Sequence, residues 1–185
     1  MAARHKATAR PVIVQEPSER HTLSIIVDNE AGVLGRITGM FSARGYNIES
    51  LTVADVSAGD LESGAVSRIT IVTTGPRRVV DQIVAQLDRL VPVHSVTDLS
   101  ELGPHIEREL ALVKVAGTGE KRVEALRLAD IFRARPVDTT TQSFVFEISG
   151  STAKVDQFIE LMREVGLVEV ARGGVVALAR GASSQ

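Results

Sequence analysis

The residues whose types and spacing could do chemistry lie in one run, Asp28-Asn29-Glu30-Ala31-Gly32-Val33-Leu34, where a strand pattern gives way to a helix pattern. A helix N-terminus leaves unpaired N–H groups and the positive end of a dipole, and both attract a carboxylate. Gly32 has no side chain, so a small molecule could lie against its backbone. The Asn29 amide can accept from an ammonium and donate to a carboxylate, and Val33 and Leu34 add an apolar wall. That set suits a free α-amino acid with an aliphatic side chain. A second reading stays open here. Asp28 or Asn29 capping the helix explains every feature of the run except a glycine at an otherwise helical position.

The other constellations are weaker. Ser151-Thr152-Ala153-Lys154 spells S-x-x-K, but the companion motifs of a serine acylase are missing, and Ser151 or Thr152 after Gly150 stands where a helix needs a cap. Gly117-Thr118-Gly119 lacks the G-K-[ST] of a phosphate-binding loop and reads as a strand-to-helix turn. His5, His21, His94 and His105 are dispersed and no Cys accompanies them, so no metal site is expected. Zero cysteines also remove disulfides and a thiol nucleophile, in keeping with a reducing, cytoplasmic setting. Five Phe, one Tyr and no Trp leave few rings for base stacking, and a net charge of −2 gives no general attraction to phosphate. A DNA-binding helix-turn-helix or basic stretch is likewise missing.

These residues are positioned by a regular succession of elements. From His21, HTLSIIVD alternates as a strand, and the segment after it carries Leu34, Ile37 and Phe41 on one helical face, with Gly45 placed to end the helix. YNIESLTVAD, the hairpin loop VSAGDLESGA and VSRITIVTT give two further strands. Pro76 then opens a helix with Val79/Val80, Ile83/Val84, Leu87 and Leu90/Val91 in period, before VHSVTDLS closes the unit. The order is βαββαβ. The second half repeats it: LALVKV, a helix through EKRVEALRLADIFR, the pair ARPVDTT and QSFVFEISG, a helix with Val155, Phe158, Ile159, Met162 and Val165 on one face, and VEVARGGVVALAR, where Gly173-Gly174 signals a bulge or turn. The fold class is therefore α+β, two tandem ferredoxin-like βαββαβ domains. The expected division is a disordered basic extension over 1–20 (charge +2), a first domain over 21–100, a linker over 101–107, a second domain over 108–181 and a tail over 182–185.

DNEAGVLGRITGMFSARGYNIESLTVA resembles the ACT domain of the small, regulatory subunit of acetolactate synthase. SRITIVT, HIERELALVKV, IFRARPVD and VEVARGGVVALARG look like further blocks of that subunit family, in its order, so the resemblance spans about residues 21–181. It implies a noncatalytic chain that activates a separate catalytic large subunit. Thiamine diphosphate, FAD and Mg²⁺ are expected on that partner and no cofactor on this chain. It further implies feedback inhibition by valine or another branched-chain amino acid bound between the ACT domains of a homodimer. Asn29, Gly32, Val33 and Leu34 match one side of the family's effector site, and Asn47 and Ile48 match the side contributed by the other protomer. The second domain has no Asn at Val115-Ala116-Gly117-Thr118-Gly119, so no second effector site is expected there. The rival reading is a stand-alone ACT-type amino-acid sensor acting on a different enzyme or regulator. A small hydrolase of the same topology lacks a catalytic set.

Overall fold

The computed structural model describes residues 17–56 and 65–181. The expected hairpin loop between the second and third strands, most of the N-terminal extension and the tail lie outside the described residues.

Each half folds into a four-stranded antiparallel sheet with two main helices on one face. The first contains β1 (Ser18–Asp28), α1 (Val33–Ala43), β2 (Ser50–Asp55), β3 (Val66–Pro76), α2 (Arg77–Leu87) and β4 (Val93–Asp98), in sheet order β2-β3-β1-β4. A one-turn helix, α3 (Leu99–Leu102), follows. The second contains β5 (His105–Ala116), α4 (Glu120–Phe132), β6 (Arg135–Thr139), β7 (Ser143–Gly150), α5 (Thr152–Val165) and β8 (Leu167–Ala179), in order β6-β7-β5-β8. Two separate aliphatic cores result. One joins Leu23, Ile25, Ile69 and Ile71 to Ile37, Phe41, Val80 and Ile83; the other joins Val113, Phe146 and Ile148 to Phe158 and Met162.

Several local readings shift. β1 starts at Ser18, because Ser18–Arg20 pair with Thr74–Pro76. Of the stretch expected to be a linker, Glu101 and Leu102 finish α3 and His105–Glu107 begin β5, leaving Gly103-Pro104 between. The buried stripe of α1 is Val33, Ile37 and Phe41, and Leu34 stands 39% exposed. Those three are spaced four apart and lie along one side of a 3.6-residue helix, and the way α1 packs on the sheet buries that stripe and leaves Leu34, one position on, at its margin. Val91, expected to extend the stripe of α2, lies beyond its end and is 97% exposed. Gly45 ends α1 with φ 68, as its position suggests.

The outer face of the first sheet is polar yet covered. Thr22, Ser24 and Thr70 point away from α1 and α2 and are buried, because β8 of the second domain packs across them. A polar face of an antiparallel sheet ordinarily faces water. Here its hydroxyls find partners in the other domain. Val175 N–H donates to Ser50 Oγ (2.8 Å), Thr52 Oγ1 donates to the Val175 carbonyl (2.9 Å), and Thr22 Oγ1 donates to Glu107.

Candidate functional site

The run Asp28–Leu34 closes β1 and opens α1, and no side chain caps the helix. This overturns the capping expectation for Asp28 and Asn29. The Asp28 carboxylate is taken by His94 Nε2 at 2.7 Å, while its backbone N–H donates to the Pro92 carbonyl. Asn29 anchors only its backbone, donating to the Ala65 carbonyl at 2.8 Å, and its amide side chain is exposed. The residue at the N-cap is Gly32, with φ 89 and ψ −7. The glycine thus stands just ahead of the helix, in a left-handed conformation that a residue with a Cβ rarely adopts. A Cβ built there would meet nothing within 4 Å. The first free N–H groups of α1 therefore open onto uncrowded space, bordered by half-exposed Leu34 and by Asn29.

In the second domain the N-cap glycine of α4 is Gly119, with φ 60, and a Cβ there would likewise meet nothing within 4 Å, whereas Gly117, two residues earlier, is crowded. A Cβ on Gly117 would lie 3.2 Å from Lys121 Cβ and 3.3 Å from the Val165 carbonyl, and Arg122 covers Phe144 nearby, 3.9 Å above its ring.

Asn47 and Ile48 precede β2. Thr73 Oγ1 donates to the Asn47 carbonyl (2.6 Å), leaving the exposed Asn47 amide without a bond among the described residues, and Ile48 rests against the core. Within one chain they do not meet Asn29 and Gly32. Asp28 is opposite Val66 on β3, whereas Ser50 is opposite Val72. At ~3.3 Å per residue, the two groups stand about 20 Å apart, at opposite ends of the sheet.

Elsewhere the fold assembles charges that spacing alone hides. Glu109, 4% exposed, accepts two bonds from Arg172 (2.6 and 2.7 Å), which also reaches Asp156. These bonds hold the Arg172 guanidinium above its ordinary pKa. One signal was available: Glu109 shares the inward register of Ala111, Val113 and Val115. Glu107 takes Arg20 at 2.9 Å, with Thr22 and His105 also on it. Burial pushes its carboxyl pKa up, but the Thr22, Arg20 and His105 interactions outweigh that and hold it below the usual value. His21, Asp98 and Glu101 come within 4.8 Å of one another, a grouping that sequence spacing gave no reason to expect. Each acid already has a protein partner: Asp98 takes His21 Nδ1 and the Ser100 N–H, and Glu101 takes Arg77. Ser151, by contrast, accepts from the Lys154 N–H, as the capping reading of S-x-x-K expects.

The βαββαβ topology of the first domain is that of an ACT domain, and residues 23–95 match the family described as "AHAS small subunit-like ACT domain". Residues 108–181 match "Small subunit of acetolactate synthase". The chain is 45% identical over 162 residues to the probable acetolactate synthase small subunit of Archaeoglobus fulgidus, covering 88% of this chain and 98% of that one. It is 44% identical to the acetolactate synthase isozyme 3 small subunit of Escherichia coli, covering 88% and 96%. A crystal structure of the small subunit from Thermotoga maritima superposes with a TM-score of 0.76 at 34% identity, over 89% of this chain and 99% of that one. The chain belongs to the acetolactate synthase small-subunit family. No helix among the described residues is long and apolar enough to cross a membrane.

Proposed function

We propose that this chain is the noncatalytic regulatory subunit of a cytoplasmic acetolactate synthase, raising the activity of a catalytic subunit and conferring inhibition by valine. The observation that carries the effector site is the open N-terminus of α1: free N–H groups, a left-handed Gly32 with no neighbour within 4 Å of a Cβ among the described residues, and an Asn29 amide without a partner among them. The amino acid's carboxylate lies on those N–H groups, its ammonium on the Asn29 carbonyl oxygen, and its side chain against Val33 and Leu34. Asn47 and Ile48 come from a second protomer, since in one chain they sit at the other end of the sheet. In this reading thiamine diphosphate, FAD and Mg²⁺ belong to the catalytic subunit, and this chain moves no proton and forms no covalent bond to substrate.

A ligand that touches two protomers favours the arrangement in which both touch it, and that preference is the free energy available for regulation. A coupling of ~1–3 kcal/mol changes affinity by roughly 5–150-fold. The test is acetolactate formation by the purified cognate catalytic subunit, with and without this chain and with and without valine. Stimulation by the chain and its reversal by valine are expected. Valine binding without any effect on a catalytic subunit would instead favour a stand-alone sensor.

A further inference from the structure

The start of β5 carries two carboxylates in the inward register, Glu107 and Glu109, ahead of Ala111, Val113 and Val115 on the same face. Glu107 belongs to the domain junction, through Arg20 and Thr22. Glu109 has a different partner. It is 4% exposed and accepts from Nε and Nη2 of Arg172 at 2.6 and 2.7 Å, while Arg172 Nη1 donates to Asp156 at 2.7 Å. A planar guanidinium held on a carboxylate by two prongs fixes direction as well as distance.

That pair spans the irregularity in β8. Glu109 is opposite Val175 and Ala111 is opposite Arg172, so one residue of β5 faces two of β8, Gly173 and Gly174. The Glu109–Arg172 bonds cross this bulge diagonally and tie its two ends together. Through Asp156 the same guanidinium also ties the bulge to α5. At the far end stands Val175, whose N–H and carbonyl are held by Ser50 Oγ and Thr52 Oγ1 of β2. A cavity of about 460 Å³ lies between bulge and β2, lined by Arg20, Glu49, Leu51 and Thr152. On that side the bulge is held by bonds rather than by close packing.

A buried ion pair is a poor source of stability, because desolvation offsets much of the attraction and an apolar pair of similar volume packs as well. An apolar pair does not, however, fix a direction. We propose that Glu109 and Arg172 are positioning residues of the regulatory path. They hold the bulge in the geometry that keeps Val175 on β2, so a displacement of β2 on effector binding moves the second domain instead of being absorbed in the bulge. The proposal rests on the effector site proposed above, whose Asn47 and Ile48 lie just ahead of β2.

The test uses full-length chain with its cognate catalytic subunit and compares wild type, Glu109→Gln and the double variant E109L/R172L. The leucines leave no buried charge without a partner. Glu147→Gln is the control, since it removes the ion pair with Arg135 at the other edge of the same sheet. Valine affinity of the isolated chain, activation without valine and inhibition at saturating valine are measured. Both pair variants should keep affinity and activation within about twofold, while inhibition falls by about twofold or more. The control should change none of the three. Adding Ser50→Ala and Thr52→Val to E109L/R172L should weaken inhibition little further, because both sets act on one path. Wild-type inhibition in Glu109→Gln and E109L/R172L overturns the proposal. So does an equal loss of inhibition in the control, or a loss of valine affinity that parallels the loss of inhibition. If circular dichroism shows the double variant unfolded, Glu109→Gln alone decides. If the wild-type chain binds no valine or confers no inhibition, the effector-site reading falls, and the positioning role falls with it.

Discussion

At the scale of single residues, Gly32 does two separable things. Its φ of 89 shapes the turn into α1, and the absence of a Cβ leaves room over the first N–H groups. Gly32→Ala should therefore cost about 1–2 kcal/mol in chemical denaturation, the usual strain of a left-handed residue with a side chain. Gly32→Asp should show the same strain and, under the proposed site, also abolish most valine inhibition, since its carboxylate would compete for the first N–H groups of α1. Activation of the catalytic subunit should survive both. Asn29→Ala and Asn47→Ala should each weaken valine binding. Because the two asparagines lie at opposite ends of the sheet, a mixture of the two variants should form some dimers with one intact site. Recovery of partial valine sensitivity on mixing checks this, and no recovery would place both residues in one protomer's site.

At the scale of elements, the junction between β2 and β8 is the most demanding contact. β8 carries a bulge where the register against β5 jumps between Glu109 and Ala111, taking in Gly173 and Gly174. Gly174 has φ 82, and a Cβ on it would fall 2.7 Å from Thr52 Cγ2 and 3.0 Å from Ser50 Oγ. Those are the side chains that bond both backbone groups of Val175, so bulge and hydroxyl clamp require each other. Gly174→Ala should lower the unfolding free energy by ~1–3 kcal/mol, from backbone strain together with the displaced clamp. Ser50→Ala with Thr52→Val should cost a similar amount, since two buried backbone groups lose their partners. Thermal unfolding checks both. The clamp begins two residues beyond Ile48, so under the proposed effector site a shift of Asn47 and Ile48 on ligand binding would reach the second domain through it. The double variant should accordingly bind valine normally and transmit its inhibition poorly.

At the scale of the whole molecule, the domains are joined by polar contacts rather than by one shared core. Glu107 is the centre of that junction, with Arg20 and Thr22 from the first domain and His105 from its own strand. Its carboxyl titrates below the ordinary 4.5 in the folded protein. A group whose folded pKa is depressed contributes stability above its unfolded pKa and loses it as pH falls through the folded value. Glu107→Gln should therefore destabilise at neutral pH. The gap from wild type should shrink as pH drops below about 4.5 and close beneath the folded value. Urea midpoints across pH check this, and a gap that is constant with pH would remove Glu107 from the acid response.

Much of this molecule follows from local periodicity. Strands and helices, the capping role of Ser151 and the bulge at Gly173-Gly174 were legible because alternation, 3.6-residue spacing and glycine placement are short-range constraints. The free N–H groups at the start of α1 were foreshadowed, since a strand running into a helix through a glycine leaves them unpaired, although the sequence equally allowed a cap from Asp28 or Asn29. What periodicity could not give was which hydroxyls and charges meet across long separations. Thr22, Ser24 and Thr70 look like a solvated sheet face until β8 lies over them, and His94 claims Asp28 from 66 positions away. The family resemblance, not periodicity, gave Asn29 and Asn47 to different protomers of one effector site. Only the strand register shows that within one chain they stand at opposite ends of one sheet, because antiparallel pairing fixes which residues are neighbours irrespective of their distance along the chain.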